Sequence, residues 1–191
     1  MPDRGSEIVA TAIKARQYEL KNGRQLLIRQ AEADDAAALL KYLDVISGET
    51  DFLSFGPGEF DLSLSEEAEF IQSCGSNDNG LFLVGVMDEK IVAGLTFAGG
   101  KRRRMRHSGE LGMSVVKDCW GLGIGSLLLD ALIDWARQSN VVTKLNLRVR
   151  TDNYRAVALY RRKGFIVEGT IRKDFLINGK YFDHYWMGLE L

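Results

Sequence analysis

Val115-Val116-Lys117-Asp118-Cys119-Trp120-Gly121-Leu122-Gly123-Ile124-Gly125-Ser126, running on into Leu127-Leu128-Leu129, decides how the rest of the chain is read. A strand empties into a loop of alternating glycines and then into a helix start. Such a junction offers several main-chain N–H groups and the positive end of a helix dipole to one point in space. Glycine permits φ > 0 in a tight turn and removes the side chains that would hold phosphate oxygens away from the amides. Trp120 to Ser126 is therefore read as a diphosphate cradle. A dinucleotide fold does not fit, because the G-x-G-x-x-G spacing is absent and no acidic residue stands about twenty positions beyond the glycines.

Hydrophobic spacing lays out an α/β chain around this cradle. Tyr18-Glu19-Leu20 and Arg24 to Arg29 flank Lys21-Asn22-Gly23 and read as two edge strands joined by a tight hairpin. Apolar residues at helical spacing predict a helix from Asp34 to Ser47, stopped by Gly48. A second helix is predicted from Ser65 to Ser73, beyond the break at Gly56-Pro57-Gly58. Leu81 to Met87, Ile91 to Phe97 and Gly109 to Val116 read as a meander whose second turn is the basic run Lys101 to His107. Ser126 to Ser139 is amphipathic, with Leu128, Leu132, Trp135 and Ala136 on one stripe. Lys144 to Arg150 alternates as a half-buried strand, Asn153 suits a helix N-cap and Gly164 its C′ position. Ile166 to Asp174 pairs with Lys180 to Leu191 across Asn178-Gly179. The order is that of one mixed sheet flanked by helices.

Composition bounds the function. A chain of 191 residues that is 46% hydrophobic supports one domain over 1-191, with about 1-23 an N-terminal extension and edge strand. A formal charge of −1 argues against binding DNA by bulk electrostatics. Cys74 and Cys119 form neither a disulfide framework nor a metal-ligand spacing, and His107 and His184 lack partners nearby in sequence, so no metal site is expected. No leader-like or membrane-spanning apolar run is present, so a soluble cytoplasmic protein with no membrane partner is expected.

About thirty residues past the cradle, Asn153-Tyr154-Arg155-Ala156-Val157-Ala158-Leu159-Tyr160-Arg161-Arg162-Lys163-Gly164-Phe165 closes a second strand-to-helix unit. Together the two segments resemble the acyl-CoA-binding half of the Gcn5-related N-acetyltransferases, the GNAT superfamily. The first is similar to the family's Q/R-x-x-G-x-G/A element, with Trp120 where Gln or Arg is usual, and the second to its Asn-x-x-Ala-x-x-Leu-Tyr-x-x-x-Gly-Phe element. The tail from Gly169 through Asn178-Gly179 to Met187 is similar, over a shorter stretch, to the ribosomal-protein alanine N-acetyltransferases. The resemblance implies a GNAT fold, with a single mixed, mostly antiparallel sheet flanked by helices. It implies acetyl-CoA as acyl donor, no metal, and direct attack by a primary amine in a ternary complex. Donor contacts are implied for Met113, Val115, Trp120, Gly121, Leu122, Gly123, Ile124, Gly125, Ser126 and Asn153. Tyr160 is implied as the acid that protonates the departing thiolate. The implied acceptor is a protein N-terminus, with a polyamine, amino acid or antibiotic amine as alternatives, and the family admits a homodimer. A non-catalytic acyl-CoA-binding module would need the cradle but neither proton-handling group.

Attack on a thioester needs a neutral amine, and an alkyl ammonium is mostly protonated at neutral pH. Glu110 opens the strand that reaches the cradle and shares a face with Gly112 and Ser114, so it is the candidate base, with a solvated strand-end glutamate as the alternative. A main-chain N–H near Met113 is placed to stabilise the thioester oxygen. Arg155, Arg161 and Arg162 form a basic helix face, either solvated or facing the CoA 3′-phosphate. The run Lys101 to His107 is a solvated turn or attracts an acidic partner such as ribosomal RNA. Cys119 borders the loop, where helix-end fields lower a thiol pKa. The acceptor pocket is expected from Glu49 to Phe60, including Asp51, Phe52 and Glu59, and from Phe175, Tyr181, Asp183 and Tyr185.

Overall fold

In the computed structural model, residues 13–191 are described, so the first part of the expected N-terminal extension, residues 1–12, lies outside the described residues. The elements in chain order are β1 (Arg16–Glu19), β2 (Gln25–Gln30), α1 (Ala36–Glu49), α2 (Leu64–Ser76), β3 (Gly80–Met87), β4 (Lys90–Gly99), β5 (Ser108–Val115), α3 (Ile124–Gln138), β6 (Lys144–Arg150), α4 (Tyr154–Arg162), β7 (Ile166–Ile177) and β8 (Lys180–Glu190). The strands form one sheet in the order β1-β2-β3-β4-β5-β6-β8-β7, antiparallel everywhere except between β5 and β6. Only β1 of the first hairpin is an edge, because β2 pairs with β3 as well.

The two sheet faces are covered unequally. On one, Leu128, Leu132 and Trp135 of α3 pack with Leu83, Leu95 and Phe97 of the meander and with Leu145 and Leu147 of β6. Phe97 and Trp135 meet edge to face with centroids 5.7 Å apart. On the other, Leu39, Tyr42 and Ile46 of α1 and Ile71 of α2 cover Phe82 and Val84. Because Leu145, Leu147 and Val149 point to the α3 side, Asn146, Arg148 and Arg150 point to this second face.

Local chemistry moves three expected boundaries. The helix α1 runs through Gly48 to Glu49, whose carboxylate accepts the Lys117 N–H at 2.7 Å. That tertiary anchor overrides the roughly 1 kcal/mol helix cost of glycine. The cap of α2 is Ser63 rather than Ser65, through a reciprocal box with Glu66. Strand β7 continues past Asp174 to Ile177, because an irregularity between Ile171 and Phe175 absorbs extra residues and pairing then resumes. The β7–β8 turn is Asn178-Gly179, with φ of 49° and 78° at its two central residues.

Candidate active site

Strands β5 and β6 are joined by only three residue pairs, Ser108 with Lys144, Gly109 with Leu145 and Glu110 with Asn146. Beyond that apex they part, so the side of Leu111 to Val115 that faces away from β4 has no strand partner. Asn146 pins the apex by donating to the Ser108 hydroxyl at 2.8 Å and the Gly109 carbonyl at 3.0 Å. Both strands then lead at the open end into helix N-termini, β5 into α3 and β6 into α4. An extended chain laid along Met113 and Val115 would meet main-chain groups as an added strand does.

The cradle lies at the mouth of this wedge. A short 3-10 turn at Lys117–Cys119 follows β5, and the Trp120 indole N–H donates back to the Val115 carbonyl at 2.7 Å. Trp120 therefore braces the loop where the family usually places Gln or Arg. None of the main-chain N–H groups of Gly121, Leu122, Gly123, Ile124 and Gly125 donates to a carbonyl within the described residues. Gly121 and Gly123 have φ of 83° and 91°. A side chain on Gly123 would point into open space, whereas one on Gly125 would lie 3.2 Å from the Met113 methyl and 3.3 Å from Leu159. Gly123 thus leaves the mouth clear, and Gly125 lets α3 approach β5 and α4. Ser126 donates its amide to Gly123 and starts the helical ladder, so it lies at the inner margin of the free amides. The arrangement fits a diphosphate held by main-chain donors at a helix start.

Asn153 caps α4, its Oδ1 accepting the Ala156 N–H at 3.2 Å. Tyr160, two turns further on, is buried in the same cluster as Leu111 and Leu147 from the wedge walls, edge-on to Phe165 at 5.8 Å. Burial pushes its phenol up to about 12, so it is protonated at neutral pH. Cys119 borders the loop, but burial pushes its thiol pKa up rather than down, which agrees with direct transfer without a cysteine nucleophile.

Glu110 lies at the apex, with Oε1 2.7 Å from Arg148 Nε. Along the same face, Arg150 is 4% exposed and threads three segments together. Its Nη1 donates to the Asp51 carbonyl at 2.9 Å, and its Nε and Nη2 grip Asp152 at 2.9 and 2.7 Å. Its guanidinium lies between the rings of Phe52 and Phe182, 4.5 and 3.8 Å from their centroids. The expected acceptor segments do converge here, but their side chains divide. Asp51, Phe52 and Phe175 face this region, whereas Glu49 anchors Lys117 and Glu59 accepts the Gly56 N–H at 2.7 Å to close its own turn. Asp183 is spent on the Lys173 N–H at 2.8 Å, and Tyr181 lies exposed under the Lys173 ammonium.

Sequence reasoning missed Tyr42, Asn146, Arg148, Arg150 and the His184–Asp174 contact. Tyr42 bonds Ser114 Oγ at 2.7 Å, tying α1 to β5, and burial raises its phenol. The strict alternation of Lys144 to Arg150 already put Asn146, Arg148 and Arg150 on one face, and that was the available signal. In the basic run, Lys101 to Met105 are exposed, while Arg106 pairs with Asp78 at 2.5 Å. Among the described residues no cluster of His, Cys, Asp and Glu suits a metal ion, and no helix is long and apolar enough to cross a membrane.

The model of the Acetyltransferase (GNAT) family matches residues 48–165, which include the wedge, the cradle and α4. L-amino acid N-acetyltransferase AaaT of Escherichia coli is 33% identical over 105 residues, 55% of this chain and 65% of its own length. The matched stretch thus spans just under two thirds of that relative. The crystal structure of a GNAT-family acetyltransferase from Streptococcus pneumoniae superposes with a TM-score of 0.85 at 38% identity, covering 87% of this chain and 99% of that one. The ribosomal-protein-alanine N-acetyltransferase from Brucella melitensis does so with a TM-score of 0.75 at 27% identity, covering 86% and 99%. With the family match extending over more than half of its length and the split sheet and glycine loop that carry it, the chain belongs to the GNAT acetyltransferase family.

Proposed function

We propose that this protein transfers the acetyl group of acetyl-CoA to a primary α-amine by direct attack in a ternary complex. The observation that carries the reading is the wedge between β5 and β6, with the unpaired amides of Gly121 to Gly125 after β5 and with Tyr160 in the buried cluster that Leu111 and Leu147 of those strands share. The cradle and the unpaired edge of β5 hold the donor, with Met113, Val115, Leu122, Ile124 and Asn153 beside it. Glu110 takes a proton from the acceptor ammonium, the freed amine attacks the thioester carbonyl, the C–S bond breaks, and the Tyr160 O–H protonates the leaving sulfur. A chain N-terminal α-amine suits the site because its ordinary pKa of about 7.7–8.0 leaves about a tenth of it neutral at pH 7, whereas a lysine-type amine at about 10.4 leaves less than about a thousandth, so Glu110 has less to do for the former.

The acceptor favoured is a protein N-terminus, supported by the fold-wide likeness to the Brucella melitensis enzyme and by the tail sequence. A free amino acid is the second reading, supported by the likeness to the L-amino acid enzyme. Release of CoA thiol from acetyl-CoA, followed against N-terminal peptides, amino acids, spermidine and an aminoglycoside, tests both. Turnover with peptides supports the first, turnover confined to amino acids the second. Calorimetric binding of CoA with no turnover of any amine would leave only a binding module.

A further inference from the structure

Within the acetyltransferase reading, on which this inference rests, one buried pair on the acceptor face has no role yet. Strand β8 sets His184 opposite Arg150 and Trp186 opposite Arg148, so both lie on the face that carries Glu110. Between Ile171 and Phe175, β7 carries three residues against the single Asp183 of β8. Lys173 takes a φ of 53°, held by its N–H bond to Asp183. Irregularities of this kind re-aim a side chain, and here the result is an inward Asp174. Its Oδ2 lies 3.2 Å from His184 Nδ1 and 3.8 Å from Arg148 Nη1. Phe175 covers the imidazole, with ring centroids 4.2 Å apart.

Asp174 Oδ2 and His184 Nδ1 are both buried and satisfied by no other group. Two such atoms in contact are one another's natural partners, and a small turn of the ring makes the bond when Nδ1 carries the proton. The chain Glu110, Arg148, Asp174, His184 is then continuous, with Arg148 shared between the two carboxylates.

We propose that Asp174 and His184 are positioning residues for acceptor deprotonation: His184, as the neutral Nδ1–H tautomer, fixes Asp174, which holds Arg148 against Glu110. The groups facing the imidazole are Asp174 from β7, Arg148 and Arg150 from β6, and Asp152 from the turn before α4. Burial and the two guanidiniums lower the His184 pKa, while Asp174 and Asp152 oppose the change, so the ring is neutral at pH 7. Protonation at low pH makes imidazolium the partner of Asp174, loosens Arg148 and leaves Glu110 misdirected.

The chain has two histidines, and His107 is exposed, so long-range proton–nitrogen NMR reports His184 directly in the intact protein. The Nδ1–H tautomer is expected at pH 7, with a titration point that moves in Asp174→Asn. An Nε2–H tautomer, or a titration unchanged by Asp174→Asn, overturns the pair. In kinetics, His184→Gln is expected to lower kcat roughly ten-fold or more and to simplify the acidic limb of the pH–rate profile, with KM for acetyl-CoA unchanged. His184→Asn, which keeps an amide donor near the Nδ1 position, should recover part of the loss. A pH profile for His184→Gln parallel to the parent's overturns the link to Glu110. Absence of turnover in the parent with every amine would instead sink the acetyltransferase reading, and the NMR outcome stands apart from it.

Discussion

Tyr160 concentrates the chemical claim into one hydroxyl. Its ring is packed against Phe165 and its phenol is held protonated by burial. Tyr160→Phe keeps the ring packing and removes only the hydroxyl, so kcat should fall by about 10²–10⁴ while the Kd for acetyl-CoA, measured by calorimetry, stays within about two-fold. Gly123 isolates the binding claim in the same way. Alanine there must adopt a φ of 91°, a strain of about 1–2 kcal/mol, and its methyl enters the open mouth beside the free amides. Gly123→Ala is therefore expected to weaken CoA by about ten-fold or more, the scale of one lost charge-assisted hydrogen bond, with a fall in Tm of several degrees. Unchanged CoA affinity would move the diphosphate elsewhere.

The helix α2 stands on a capping box, Ser63 Oγ accepting from Glu66 N and Glu66 Oε2 from Ser63 N. Ser63→Ala should cost about 1 kcal/mol, read in urea unfolding as a lower midpoint with the same slope. The same helix explains how far sequence reading reaches. Ser63-Leu64-Ser65-Glu66 contains the S-x-x-E signature, but Ser65, directly before Glu66 and Glu67, offers a second cap-type serine two residues on. Helices and strands were legible because each buries one periodic face, and the cradle was legible because glycine spacing is local. The acceptor side was not. Arg150 meets Asp51 across 99 residues, and Asp174 reaches His184 only through an irregularity that period-two reading cannot foresee. Gly48 was misread for the same reason, since its helix is held open by Lys117, far along the chain.

For the molecule as a whole, acid sensitivity follows from two clamped carboxylates. The Arg29 guanidinium, at 2.6 and 2.8 Å, holds Asp35 below the usual carboxylate range, and Arg150 does the same to Asp152. A carboxyl whose folded value is lowered adds stability above its unfolded value, near 3.9, and loses it as pH falls through the lower folded value. Asp35→Asn should therefore reduce Tm at pH 7, and the gap to the parent should close as the pH drops below about 4. Asp152 is the more exposed of the two and contributes less. The seam between β5 and β6 has a broader consequence. Three rungs join two half-sheets, so a pantetheine arm bound as proposed would act as the missing lath between them. Amide deuterium uptake over Leu111 to Val115 should slow when CoA is added, and a donor held there would become, for as long as it stays, part of the scaffold that keeps the β6–β8–β7 half of the molecule in register with the other.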